Sequence, residues 1–233
     1  TLVRWGRVAA LAGVVVVGSA AWWGPLALRP FSFFAVRKVE LVGVRYLAPE
    51  AVIAALGLRR NASVWDRLGV LSDRVRSLQG VAEVEVSTRL PGTLRLRIRE
   101  VEPVALASGE AGLVPVGAGG RPLPYDPVRV MVDVPVVERA ERALVGALEV
   151  VRAADPAFFG AVAAARAGPA GSMELDLDGG GRVRLALPVD PAVVVSVAAV
   201  ERDLAARSQS WRELDGRYAG WVVVRKAKAE GSS

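Results

Sequence analysis

Val81-Ala82-Glu83-Val84-Glu85-Val86-Ser87-Thr88-Arg89-Leu90-Pro91-Gly92-Thr93-Leu94-Arg95-Leu96-Arg97-Ile98-Arg99 reads as two strands around a tight turn. Ala82, Val84, Val86 and Thr88 share one face, with Glu83, Glu85, Ser87 and Arg89 opposite. Leu94, Leu96 and Ile98 repeat the alternation against Arg95, Arg97 and Arg99, the period of a sheet with one buried side. Leu90-Pro91-Gly92 supplies the turn. A three-residue loop pairs Arg89 with Thr93, hence Glu85 with Arg97 and Glu83 with Arg99. Opposite charges so placed contribute about 0.2–1 kcal/mol each. Both acids are therefore read as structural, since a catalytic carboxylate pair needs one member desolvated and these lie among arginines on a wet face.

Upstream, residues 34–43 carry Val36, Val39, Leu41 and Val42 among charges and end in Gly43, which predicts a strand. Pro49 and Glu50 suit the first turn of a helix, with Val52, Ile53 and Leu56 on one face and Gly57 as the stop. A second helix is predicted over about residues 65–79, where Leu68, Leu71, Val75 and Leu78 form one stripe. The order strand, helix, helix, strand, strand packs two helices on one face of a small sheet.

Further upstream, residues 8–28 carry no charge between Arg7 and Arg29. A helix of these 21 residues spans roughly 31 Å, about the hydrocarbon thickness of a bilayer. Leu11 and Val14 to Val17 give the apolar bulk, and Trp22 and Trp23 suit a lipid–water boundary. A signal peptide with Gly18-Ser19-Ala20 as its cleavage site would have a shorter apolar run, and a buried soluble helix would show more polar residues than Ser19 alone. A retained single transmembrane helix is therefore expected. Arg4 and Arg7 precede it and Arg29, Arg37 and Lys38 follow it, so basic residues do not set its direction. The long body after it argues for translocation, because large domains cross with little regard to charge.

Composition narrows the function. The chain has 233 residues, a net charge of +6 and a pI near 10.4. Its basic residues are scattered among apolar ones without interleaved aromatics, which is not the pattern of a nucleic-acid binder. An anionic lipid or cell-wall surface suits that charge better. With no histidine and no cysteine, His-dependent triads, thiol nucleophiles and imidazole- or thiolate-held metals are excluded. No Ser-x-x-Lys occurs, and no catalytic residue, cofactor or metal site is assigned.

The second half reads as strands with occasional helices. Gly117-Ala118-Gly119-Gly120 is a flexible turn, not a phosphate loop, because Arg121-Pro122 follows where Gly-Lys-Ser/Thr would be needed. Val130, Val132 and Val134 predict a strand, and Ala140, Ala143, Leu144, Ala147, Leu148 and Val151 a helix. Met173, Leu175 and Leu177, then Gly179-Gly180-Gly181, then Val183, Leu185 and Leu187 predict a hairpin. Asp176-Leu177-Asp178-Gly179 lacks the further ligands of a calcium loop and reads as a turn with solvated acids. Asp190-Pro191 opens a helix to about Arg207, and Trp221-Val222-Val223-Val224 is a last strand.

These residues carry a family resemblance. Residues 34–43 and 81–105, with Arg89, Leu90-Pro91, Thr93-Leu94, Glu100 and Pro103-Val104-Ala105, resemble the POTRA (polypeptide transport-associated) domain of the FtsQ/DivIB family. Where that family often has a Gly-rich link between its helices, Arg59-Arg60-Asn61-Ala62-Ser63 stands here. Leu113-Val114, the Asp178-Gly179 hairpin and Leu214-Asp215-Gly216-Arg217-Tyr218 resemble the family's β-domain more loosely, with Gly216 at a place that is usually apolar. The expected fold is α+β: a short cytoplasmic segment (1–7), a transmembrane helix (8–28), a β-α-α-β-β POTRA domain (31–102), a mixed β-rich domain with flanking helices (103–226) and a flexible tail (227–233).

The resemblance implies a bitopic protein of the bacterial inner membrane with most of its mass outside the cytoplasm. It implies a non-enzymatic scaffold of the divisome that binds partners resembling FtsB and FtsL and links early to late division components. A POTRA protein of outer-membrane transport would need repeated units and a barrel, and a membrane-anchored cell-wall enzyme would need acids converging in a cleft. The segment predicted to dock a partner is Arg217, Tyr218, Trp221, Val222, Val223, Val224 and Arg225. A last strand tends to lie at a sheet edge, and Trp and Tyr are enriched where interfaces concentrate their energy. The same residues would serve as core, and the sequence leaves both open.

Overall fold

The computed structural model describes residues 19, 32–110, 112–129, 132–218 and 220–226. The chain divides after Glu100 into two compact units. Among the described residues no helix is long and apolar enough to cross a membrane. The span expected at 8–28 lies outside them except for Ser19, which is helical, and the tail at 227–233 lies outside them entirely.

The first unit follows the predicted order: β1 (Lys38–Val42), α1 (Pro49–Leu56), α2 (Leu68–Arg76), β2 (Val81–Arg89) and β3 (Thr93–Glu100). Its three strands lie in the order β1-β3-β2, with β1 parallel and β2 antiparallel to β3. The hairpin register is the one expected, with Arg89 opposite Thr93, Glu85 opposite Arg97 and Glu83 opposite Arg99. Arg97 and Arg99 bond those acids at 2.9 and 2.7 Å. Val52, Leu56, Leu71, Val75, Val84, Leu94, Leu96 and Ile98 are the buried side chains that hold helices to sheet. Gly57 ends α1 in the left-handed region at φ 55°, where its N–H reaches the Ala54 carbonyl.

Three details depart from the sequence reading. α2 is shorter than residues 65–79, so Leu78 lies beyond it, and Ile53 is exposed while Val52 is buried. The first strand starts only at Lys38; before it, Val36 N–H donates to the Ala62 carbonyl (2.8 Å) and Val64 N–H to the Phe34 carbonyl (3.0 Å). Glu100, in the inward phase of β3, is buried and accepts from three consecutive amides: Arg45 (2.9 Å), Tyr46 (2.7 Å) and Leu47 (2.8 Å). That fixes the turn between β1 and α1.

The second unit is built on one mixed sheet of β4 (Ala105–Gly109), β5 (Gly112–Val116), β6 (Val136–Val137), β7 (Val162–Gly168), β8 (Ser172–Leu177), β9 (Arg182–Ala186), β10 (Trp211–Tyr218) and β11 (Trp221–Lys226). The strand order is β11-β10-β9-β8-β7-β6-β4-β5. Helices α3 (Arg142–Ala154), α4 (Pro156–Gly160) and α5 (Pro191–Ala206) complete it. Leu144, Leu148 and Val151 of α3 and Val194 and Val197 of α5 join Met173, Leu175, Val183, Leu185 and Leu214 of the sheet in one core. Asp190 caps α5, its carboxylate accepting from Ala192 N–H at 2.8 Å.

Here too the structure amends the expectation. Val132 and Val134 are not in a strand, and pairing begins at Val136; Val130 lies outside the described residues. The glycine turn at residues 118–120 is a short 3-10 turn. Asp176 is not a solvated turn acid but a member of β8, bonded by Arg166 and by Arg182. Gly216 lies inside β10, at an irregularity of its pairing with β11.

Candidate functional site

β11 is the terminal strand of the eight-stranded sheet and, among the described residues, pairs on one side only, with β10. The β10–β11 register sets Glu213 opposite Arg225, Leu214 opposite Val224, Asp215 opposite Val223 and Tyr218 opposite Trp221. Trp221 is 76% exposed, Tyr218 53% and Val223 42%, while Val222 packs part-buried against the core. Large apolar side chains beside a row of unpaired backbone groups form a template for another strand.

The other end of the sheet is covered over Pro115 and Val116. β5 carries Pro115, which has no N–H to offer, and the Pro115 carbonyl is taken by Leu123 N–H at 2.8 Å. Val116 is bridged by Pro122 on the same side.

Helix α5 comes close to the open end because Gly216 admits it. A β-carbon there would stand 2.9 Å from a Val197 methyl and 3.0 Å from one of Val193. The start of α5 and the β10–β11 turn thereby enclose a cleft of about 190 Å³, lined by Asp190, Ala192, Val193, Ser196, Tyr218, Gly220, Trp221 and Val222. Sequence reasoning named the strand side of this cleft and missed the helix side. The Asp190-Pro191 signal located the helix start, but only the parallel pairing of β9 with β10 brings it here.

A row of alternating charge crosses the sheet to the same end: Arg166, Glu174, Arg184, Glu213 and Arg225 from five consecutive strands, β7 to β11. Successive members approach at 2.8, 2.9, 3.3 and 3.5 Å. Burial works against the charged form of Glu174. The hydrogen bond from Arg166 and the charges of Arg166, Arg184 and Arg182 outweigh it and hold the carboxyl below its ordinary value. Asp215 is fully buried, and the Arg217 fork keeps its carboxyl below the usual range. Of the predicted docking residues, the structure gathers Tyr218, Trp221, Val223, Val224 and Arg225 along one margin. Val222 turns partly inward, and the Arg217 side chain is occupied by Asp215.

Comparison with known proteins adds identity. The family model for the POTRA domain of FtsQ type matches residues 34–100, the segment that folds as β1 to β3 with the two helices. The chain is 34% identical, over 174 residues, to a protein of Cereibacter sphaeroides named cell division protein FtsQ, a match covering 72% of this chain and 54% of that protein. The chain thus spans about half the length of that relative. Residues 34–100 are an FtsQ-type POTRA domain, and the chain that carries them is FtsQ-like.

Proposed function

We propose that this FtsQ-like chain is a non-enzymatic scaffold of the bacterial division machinery. Residues 8–28 anchor it in the inner membrane, the body lies outside the cytoplasm, and the margin of β11 accepts a strand from a partner resembling FtsB, with one resembling FtsL in the same assembly. It links early to late division components. The observation that carries this reading is the open, apolar β11 margin, opposite a β5 margin covered at Pro115 and Val116. Strand addition takes affinity from main-chain hydrogen bonds and specificity from side-chain pockets. The cleft beneath Trp221 and Tyr218 supplies such a pocket. Arg225 and Lys226 favour an acidic partner segment, with a salt-sensitive contribution to encounter.

The test is co-purification of the detergent-solubilised full chain with its membrane partners, comparing the native chain with Tyr218→Ala/Trp221→Ala. Loss of two exposed interface aromatics is expected to weaken capture about ten-fold or more, with the denaturation midpoint unchanged. Undiminished capture by a folded variant would remove β11 from the interface. For the anchor, Val15→Arg places a charge that costs about 2.5–3.5 kcal/mol at a helix centre, so the variant is expected to lose membrane association.

A further inference from the structure

We infer that the cleft at the α1–α2 junction of the POTRA domain is an anionic-phospholipid headgroup site, which seats the domain on the bilayer that anchors it. This rests on the proposed reading of residues 8–28 as a membrane span.

Three observations converge. The cleft, about 490 Å³, is lined by Arg59, Arg67 and Arg74 together with Leu58, Val70 and Leu71, so guanidinium groups face a partly apolar floor. Arg74 also bonds the Leu56 carbonyl at 3.0 Å, which holds its charge at the mouth of the junction. Arg59 and Arg67 are exposed and enter no ion pair among the described residues. The acid among the lining residues, Asp66, accepts from the Ser63 amide at 3.1 Å.

The cleft wall is also tied to the chain that arrives from the apolar segment. Phe34 and Val36 exchange backbone hydrogen bonds with Val64 and Ala62, and Ala35 bridges Ser63. From residue 28 to Phe34 an extended chain reaches at most about 20 Å. The arginine loop is therefore held within headgroup reach of a bilayer crossed by 8–28.

Aromatic side chains mark the same place. Phe33 and Phe34 rings lie 5.1 Å apart, Phe34 and Trp65 rings 5.6 Å apart, and Phe33 is 61% exposed. Aromatic rings beside arginines are the composition of a membrane–water boundary, where phosphate takes a bidentate guanidinium and rings take the acyl margin. A soluble partner would explain the arginines but not the exposed Phe33 ring placed next to the chain's entry.

The experiment reconstitutes the full chain in nanodiscs of phosphatidylcholine, alone or mixed with phosphatidylglycerol, and reads amide hydrogen exchange over residues 57–71. Exchange is expected to slow about five-fold in the anionic discs, the factor corresponding to one basic side chain held at such a surface. Raised salt and Arg59→Glu/Arg67→Glu should abolish the slowing, and Arg59→Lys/Arg67→Lys, which keeps the charge but loses the fork, should retain only part of it. Equal exchange in both discs overturns the inference while leaving the anchor standing. Failure to enter any disc overturns the anchor and the inference with it. Slowing by inorganic phosphate in neutral discs would make this a soluble-anion site and overturn the lipid assignment.

Discussion

Arg217 grips Asp215 from two residues further along the same strand, Nε to Oδ1 at 2.9 Å and Nη2 to Oδ2 at 2.7 Å, while the Arg217 amide also donates to Oδ1 at 3.1 Å. The fork closes the irregular stretch where β10 slips against β11, so a buried acid beside the β11 margin is neutralised from within its own strand. It also removes the Arg217 charge from what a partner would meet.

Acid should loosen the sheet of the second unit. The hydrogen bonds from Arg217 lower the Asp215 carboxyl from its usual 3.8, with burial opposing, and Glu174 and Asp176 are lowered by their arginines against burial. A carboxyl with a depressed folded value contributes stability that is present above the unfolded value and lost as pH falls through the folded one. Urea midpoints are therefore expected to hold steady down to about pH 5 and to fall below about pH 4. Asp215→Asn should cost about 1–3 kcal/mol at neutral pH and flatten the acid limb. An unchanged limb would mean that the fork adds nothing to stability.

Gly216→Ala should destabilise the second unit by about 1–3 kcal/mol, because the new methyl meets Val193 and Val197 of α5 inside normal contact distance. Val197→Ala added to it should recover part of the loss. Non-additivity in that double-mutant cycle, read by thermal denaturation, checks the contact.

In the first unit, Leu71→Ala removes a buried side chain of α2 and is expected to cost about 2–5 kcal/mol. Glu85→Ala with Arg97→Ala should show coupling below about 1 kcal/mol, since both partners are well exposed. The contrast between the two, measured by denaturant titration, separates packing from surface charge.

Val223→Lys puts a charge on an exposed edge position and is expected to lower partner capture with little change in the denaturation midpoint, as edge lysines deter strand addition. Capture unaffected by the lysine would point to docking through side chains alone.

Some of this was legible in the residues and some was not, for identifiable reasons. The hairpin register followed from strict alternation plus a three-residue turn, down to Glu83 opposite Arg99. The same alternation puts Glu100 in phase with Leu94, Leu96 and Ile98, so its burial was readable, but its partners are backbone amides some fifty residues away in sequence. Strand β7, Val162–Gly168, is mostly alanine and glycine and carries little strand signal of its own. It becomes a strand because β6 and β8 flank it. Glu174 falls in the opposite phase to Met173 and Leu175, which predicts an outward residue, but three arginines from two neighbouring strands enclose it. Trp221 could be core or edge by composition, and the strand order makes it edge.

The unequal ends of the eight-stranded sheet have a consequence for counting. With β5 covered at Pro115 and Val116, the β11 margin is the longer open edge of the sheet among the described residues. Through that margin the sheet has a valence of one. Two copies joined β11 to β11 would use up the margin that a partner strand needs, so self-association and partner capture through this edge would be mutually exclusive states of the same surface.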